Sequence, residues 1–385
     1  MFDKSAELFP VKQETAYLAN CGMAPLYSRG AEEIVSFSNA RTLTGGAPVE
    51  AYGRILASLK SSLADLTGAR SEDFSFMKNT AEAMSLIAGG YPLSEGDEII
   101  SYLHEYPSNH YPWLVQQQRG ARLVLLDDTD PVGDLAPGKP RGWSMDDLER
   151  ATTDRTRIVA ISHVQFTSGF TANLAEVGEF CRHRDIDLVV DVAQSLGALP
   201  VRPEEWGVSA MAGSGWKWLL GPVGSGIMYT SPEFREKLDM VLTGANIVVQ
   251  GTDYLDHTWN LLEDGRRFEY STVQLSYAAA LGRSVSDLFC KYDPKDVRDE
   301  IFRLQNIFLD RVDRKRYRPV VFAPEHRSGI LAIVTEGDLA EIVAKLAADG
   351  ICVSARGGYL RIAPHFYNDD AEMIRAADAL NSLAQ

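Results

Sequence analysis

Cysteine is scarce in this chain, and what there is does not cluster. Cys21, Cys181, Cys290 and Cys352 lie far apart with no CxxC spacing. That excludes a zinc site built on paired thiols and a disulfide framework, so reduced thiols and no bound metal are expected. Long apolar runs are missing too: nowhere do about 18 consecutive apolar residues occur, the length a membrane-spanning helix needs. The opening Met1-Phe2-Asp3-Lys4 lacks a basic region followed by an apolar stretch, and a cytoplasmic protein is expected. Positive charge is also short. Lys and Arg number 38 against 53 Asp and Glu, a formal net charge of −15. With no basic stripe to reverse that field locally, nucleic acid is not an expected partner. An anionic ligand has to be drawn in by a local cluster of donors and cations. Low-complexity tracts and short internal repeats are absent, so disorder is expected only at the termini.

What is present is an ordinary globular composition, 45% hydrophobic and 24% charged over 385 residues. That length exceeds what one core usually supports, and two unequal domains are expected. Short apolar runs at 74–77, 98–101, 123–126, 157–162 and 188–190 alternate with helical patterns such as 80–88 and 174–181. The alternation predicts βαβ units and an α/β fold with a largely parallel sheet. Ligands in such sheets bind beyond the carboxyl ends of the strands, which directs attention to Asn79-Thr80, His104 to Asn109, His163 to Ser168 and Asp191 to Gln194. A long helix is predicted over 275–292, followed by runs at 319–322, 330–334 and 359–362 and a helix near 339–349, which reads as a smaller α+β domain. The expected organisation is an N-terminal segment, 1–15, packing on the small domain, a large domain over 16–274, and the small C-terminal domain over 275–385.

Three features carry candidate chemistry. Asp191 closes the run Asp187-Leu188-Val189-Val190, with Gln194 just after it. A carboxylate in that position either caps the next helix or faces a protonated heterocyclic nitrogen. Lys217 stands between Trp216 and Trp218 in an otherwise uncharged segment. It is either an amine whose lowered pKa suits Schiff-base chemistry or a lysine laid along an apolar surface. Asn79-Thr80-Ala81-Glu82 opens a helix directly after a strand, which is an ordinary cap or an anion site made of free N–H groups. Ser214 and Thr272 are further hydroxyl donors.

The order of these pieces resembles fold-type I pyridoxal 5′-phosphate (PLP) enzymes, specifically the class V aminotransferase and cysteine desulfurase superfamily. The resemblance runs through Tyr17 to Gly22, Asn79 to Ala83, Glu105 to Trp113, Asp191 to Gln194, Ser214 to Lys217, Arg266 to Glu269 and Leu360 to Asn368. It implies a large domain with a mainly parallel, seven-stranded type of sheet and a smaller C-terminal α+β domain. It further implies PLP on Lys217, which also shuttles protons, with Asp191 on the pyridinium nitrogen and Gln194 on the phenolic oxygen. Thr80, the Ala81 backbone and Ser214 would hold the phosphate, and Thr272 would reach it from a second subunit, so a homodimer with shared active sites is implied. Tyr106 falls where an aromatic side chain stacks on the cofactor ring, its other reading being a core tyrosine. Arg361, with Asn20, would bind the substrate, Arg361 gripping the α-carboxylate.

Three departures separate the chain from the desulfurases it resembles. The link Ser354 to Tyr359 before Arg361 carries no cysteine, Trp216 replaces the histidine before the lysine, and Gln165-Phe166 stands for a Ser-Asn pair. The expected reaction is a transformation of a small α-amino acid, with transamination ranked first, C–S or C–Se lysis second and epimerisation third. The non-enzymatic alternative is a PLP-binding sensor or assembly subunit.

Overall fold

The computed structural model describes residues 1–129 and 139–383. At its centre is a seven-stranded sheet in the order Phe74–Met77, Gly226–Thr230, Ala210–Ser214, Asp187–Asp191, Thr156–Ser162, Glu98–Tyr102, Arg122–Leu126. Gly226–Thr230 alone runs antiparallel to its neighbours. The strands form where apolar side chains are buried on both faces. Val159 and Ile161 join the core on one side of the sheet and Ile158 and Ala160 the core on the other; Leu188 and Val190 oppose Val189 in the same way. Burial on both faces is why these strands read as continuous apolar runs. Ala210–Ser214 and Gly226–Thr230 went unassigned in the sequence: small residues and glycine give the first little strand signal, whereas Ile227, Tyr229 and Thr230 of the second are strand formers whose signal was passed over.

The C-terminal part builds a four-stranded antiparallel sheet in the order Ser354–Arg356, Tyr359–Ile362, Leu331–Val334, Arg318–Pro319. Helices Pro294–Arg311, Leu339–Ala348 and Asp370–Ser382 pack on it around Phe308, Ile333, Leu360 and Met373. The N-terminal segment is fastened there: Ala16–Tyr17 pairs in parallel with Ile351–Cys352, and Phe9 stacks on Tyr367 at 4.6 Å between centroids. The predicted helix from 275 is α-helical over Leu275–Ser284 and then widens into a π-helical turn, Val285–Phe289. No helix among the described residues is long and apolar enough to cross a membrane.

One buried ion pair fixes the segment leading to Thr272. Lys60, on helix Tyr52–Thr67, meets Glu269 at 2.9 Å, both side chains under a tenth exposed. Glu269 also accepts the Phe76 N–H at 2.9 Å, which ties it to the edge strand. Burial pushes the Glu269 carboxyl up, and Lys60 opposes that. Lys60→Met leaves this charge uncompensated and is expected to lower stability by about 3–5 kcal/mol, because the desolvation cost of the carboxylate remains while its partner is gone. Urea unfolding at neutral pH measures the loss; adding Glu269→Gln to the same variant is expected to recover most of it.

Candidate active site

The carboxyl ends of four strands of the central sheet, three of them adjacent and one, Phe74–Met77, beyond Gly226–Thr230, converge on a cavity of about 290 Å³. Asn79, Thr80 and Ala81 follow the first of these strands, Ser162 closes the second, Asp191 the third and Ser214 the fourth, and all of them line the cavity. This is where a parallel sheet offers its strand ends to a ligand.

Lys217 enters from a tightly closed loop. Gly215 N–H donates to the Ser225 carbonyl and Gly221 N–H to the Gly215 carbonyl, each at 2.8 Å, which pins the loop at both ends. Gly215 is required there, since a Cβ would stand 2.3 Å from Ser225 Oγ. Leu220, buried in the same loop, has a φ of 56°, a left-handed conformation that costs leucine on the order of 1 kcal/mol or more. The strain is held by the Leu220 N–H on the Lys217 carbonyl at 3.1 Å and the Tyr27 N–H on the Leu220 carbonyl at 3.0 Å. Lys217 Nζ then lies 5.4 Å from the Tyr106 ring centroid. Burial lowers the amine, Asp191 and Cys21 oppose that, and Arg361 adds to the lowering.

Asp191 is buried, with Oδ1 accepting the Ala193 N–H at 2.8 Å. Burial pushes its carboxyl up, against the Ala193 hydrogen bond and the Lys217 charge. Tyr106 lines the cavity and is 43% exposed as a residue, and Phe166 meets its ring edge-on at 5.1 Å. Gln194 is on the wall with both ends engaged: Nε2 donates to the Cys21 carbonyl at 2.8 Å and Oε1 accepts the Trp218 indole N–H at 2.9 Å. One Nε2 hydrogen is left for a ligand.

The remaining candidates stand off the wall. Arg361 is 3% exposed and sits behind Phe166, donating to the Phe166 carbonyl and, through Nε, to Ser354 Oγ at 3.2 Å. A guanidinium carries five N–H donors, so several stay free for a carboxylate. Asn20 is fully buried; its Nδ2 donates to the Ala363 carbonyl at 2.8 Å and its Oδ1 accepts the Tyr367 hydroxyl at 2.9 Å. Thr272 is exposed and does not line the cavity of its own chain. Phe166, of the Gln165-Phe166 departure, is on the wall, and so is Ser162, to which the sequence reading gave no role; Ser162 ends a predicted strand, and that position was the available signal.

The donor set fits PLP. Ser214 Oγ is buried on the wall with no hydrogen-bond partner. Asn79 caps the helix Thr80–Gly90 by accepting the Glu82 N–H at 2.8 Å, and the Thr80 and Ala81 N–H groups have no partner within the helix. Together they offer an anion two backbone donors, two hydroxyls and the positive end of a helix. Asp191 adds a buried carboxylate for a cationic ring nitrogen, and Lys217 an amine for an aldehyde.

The aminotransferase class-V family model matches residues 36–377. A probable cysteine desulfurase of Methanothermobacter thermautotrophicus is 26% identical over 351 residues, covering 86% of this chain and 84% of that protein. The uncharacterized aminotransferase YcbU of Bacillus subtilis is 23% identical over 379 residues, 97% of this chain and 96% of its own length. Among solved structures, the cystine C–S lyase C-DES in complex with its reaction product cysteine persulfide has a TM-score of 0.86 at 20% identity, covering 97% of this chain and 99% of that one. The cysteine desulfurase CsdA of Escherichia coli has a TM-score of 0.82 at 22% identity, over 100% and 99%. These likenesses establish the fold as that of the fold-type I enzymes. With a family match spanning most of its length, the chain belongs to the aminotransferase class-V family and is a PLP-dependent enzyme.

Proposed function

We propose that this enzyme is a carbon–sulfur lyase that removes a β-sulfur substituent from a small α-amino acid and releases it to solvent. The observation that carries this reading is the chemistry of the segment before Arg361. Relatives named cysteine desulfurase align along most of the chain, yet Ser354–Arg356 and the turn after it hold no thiol. Cys352 is fixed in a strand paired with Tyr17, and burial pushes its thiol up. A leaving sulfur atom therefore has no low-pKa thiolate of that segment to meet. This order places lysis ahead of transamination, reversing the ranking drawn from the sequence.

PLP, when bound, supplies a sink for the electrons of the carbanion at the substrate Cα. The chain's own residues do the rest. Arg361 holds the α-carboxylate, and Lys217 holds the cofactor and, once freed, its unprotonated amine takes the Cα proton. Asp191 keeps the ring nitrogen protonated, Tyr106 covers one ring face, and Gln194 donates to the phenolic oxygen. Thr80, Ala81 and Ser214 hold the phosphate. The C–S bond breaks with its electron pair going to sulfur; the remaining enamine takes up water and ends as pyruvate and ammonia.

Thr272 reaches the phosphate of a second subunit in this reading, and the enzyme acts as a homodimer. Support comes from the surface position of Thr272 and from Tyr254, Leu255 and Trp259, which expose 63%, 91% and 61% of their area on the preceding segment.

The test is product analysis. Purified enzyme given L-cysteine, L-cystine or a cysteine conjugate should form pyruvate together with sulfide, a persulfide or a thiol, respectively, without added keto acid. Turnover that requires a keto acid and returns its amino acid counterpart sinks lysis and establishes transamination, the second reading, which YcbU favours by aligning over 97% of this chain. Under either reading Arg361→Lys is expected to raise KM for the amino acid about 10- to 100-fold, one to two charged hydrogen bonds being lost with the planar fork, while kcat changes less. Steady-state kinetics measures the split.

A further inference from the structure

Glu105 lies on the turn after Glu98–Tyr102, buried behind the cavity wall. Its Oε1 accepts the Ser162 N–H at 2.7 Å and its Oε2 the Ser162 hydroxyl at 2.5 Å. Ser162 lines the cavity and is the ladder partner of Asp191. The next residue, His163, donates its N–H to the Asp191 carbonyl at 2.9 Å. On its other side Glu105 is bonded to Tyr106, whose ring is also on the wall. One carboxyl group thus joins the turn carrying the aromatic side chain to the strand end carrying the buried acid.

Among the ionisable groups around Glu105, Asp191, at the end of the second strand over, and Tyr102, on the strand before it, interact with its charge; His104 and Tyr106 flank it in the chain, and His163 follows Ser162. Asn109 faces it without charge. Burial pushes Glu105 up to about 7, the two Ser162 hydrogen bonds oppose this, and the Asp191 charge adds to it.

We propose that Glu105 is a positioning residue of the cofactor site: through Ser162 it sets the placement of Tyr106 relative to Asp191 and keeps the Ser162 hydroxyl hydrogen turned away from the cavity. The proposal rests on the reading of this cavity as the PLP site. With the hydroxyl hydrogen engaged on Glu105, Ser162 presents an acceptor to the cofactor ring. Glutamine at 105 donates to Ser162 Oγ instead, and the hydroxyl hydrogen swings into the cavity.

The experiment compares wild-type holoenzyme with Glu105→Gln and Ser162→Ala by PLP dissociation constant and by the pH midpoint of the near-visible cofactor band. It adds the thermal midpoint of the apo-proteins between pH 5 and pH 8. Glu105→Gln is expected to weaken PLP binding about tenfold, the worth of one hydrogen bond to a charged group, and to move the band's pH midpoint. Ser162→Ala is expected to weaken PLP binding severalfold while leaving that midpoint in place, and it carries the test if Glu105→Gln does not fold. The stability arm has a defined sign. A carboxyl raised from 4.5 to about 7 contributes stability that is fully present below pH 4.5 and lost as pH rises through 7. Wild-type apo-protein should therefore lose thermal stability across that window relative to Glu105→Gln. A packing role alone lowers the thermal midpoint of both variants at every pH and leaves PLP affinity and the band unchanged, which overturns the proposal. A wild-type protein with no borohydride-fixed band removes the cofactor reading and this proposal together; a wild-type band that both variants reproduce removes this proposal alone.

Discussion

Lys217→Ala is expected to lower turnover roughly ten-thousand-fold, the upper end of what a positioned acid–base group contributes, and to abolish the near-visible band that borohydride fixes to the wild-type chain. In the proposed reading the amine has two tasks in one position. Held by the closed Gly215–Gly221 loop and facing Tyr106, it is placed to bond the cofactor aldehyde and then to move the Cα proton. Burial, the largest influence on it, lowers its pKa, so more of it is unprotonated at neutral pH, and only the unprotonated amine attacks a carbonyl or accepts a proton. Alanine removes both tasks while leaving the loop geometry, which depends on backbone hydrogen bonds and on Leu220 rather than on the lysine side chain. The variant should fold with a thermal midpoint near that of wild type. Small primary amines should restore part of the lost rate, because they fit the space the side chain vacates and supply a base there. The measurement is turnover of Lys217→Ala against methylamine concentration, with mass spectrometry of the borohydride-reduced proteins. A variant that keeps the band, or turns over at a tenth of the wild-type rate without added amine, sinks the assignment.

How far the site was legible in advance depended on the distance over which each residue's partners lie. Asp191, Ser214 and Lys217 could be read because local sequence places them: an apolar run buried on both faces delivers Asp191 to a strand end, and Lys217 follows three residues after Ser214. The contacts of Asn20 and Gln194 could not. Asn20 is held by Ala363 and Tyr367, and Gln194 by Cys21 and Trp218, partners that only the closed fold brings near. Glu105 was visible as a carboxylate just past a strand, but its hydrogen bonds go to Ser162 on the adjacent parallel strand, and pairing between strands is not written in either one. The π-helical turn at Val285–Phe289 was missed for a related reason: the apolar residues continue a helical rhythm, and the widening shows only in the backbone hydrogen bonds. Strand order and the antiparallel Gly226–Thr230 came from the structure alone; the resemblance had implied only a mainly parallel, seven-stranded type of sheet.

Asp191→Asn is the second large effect, and it separates holding the cofactor from activating it. At an effective dielectric of about 20, opposite charges about 4 Å apart attract by about 4 kcal/mol, which is close to three decades in rate at about 1.4 kcal/mol per decade. If the Asp191 carboxylate keeps the ring nitrogen protonated, asparagine forfeits that attraction where the transition state depends on it, and kcat should fall roughly a thousandfold. Binding should suffer far less, because in the proposed reading Lys217, Ser214 and the helix start at Thr80 and Ala81, all on the same cavity wall, hold other parts of the cofactor. The reduced protein should therefore still carry PLP on Lys217. Asparagine also suits its surroundings, since its Oδ1 can still accept the Ala193 N–H that Asp191 accepts at 2.8 Å. Removing a buried carboxyl whose pKa burial has raised should stabilise the apo-protein at pH values where the wild-type side chain is ionised. The informative result is thus a variant that is folded, loaded with PLP and nearly inactive. A variant within tenfold of wild-type kcat would mean that the chemistry does not depend on a protonated ring nitrogen, and would return Asp191 to its other reading, a carboxylate whose task is the N–H of Ala193.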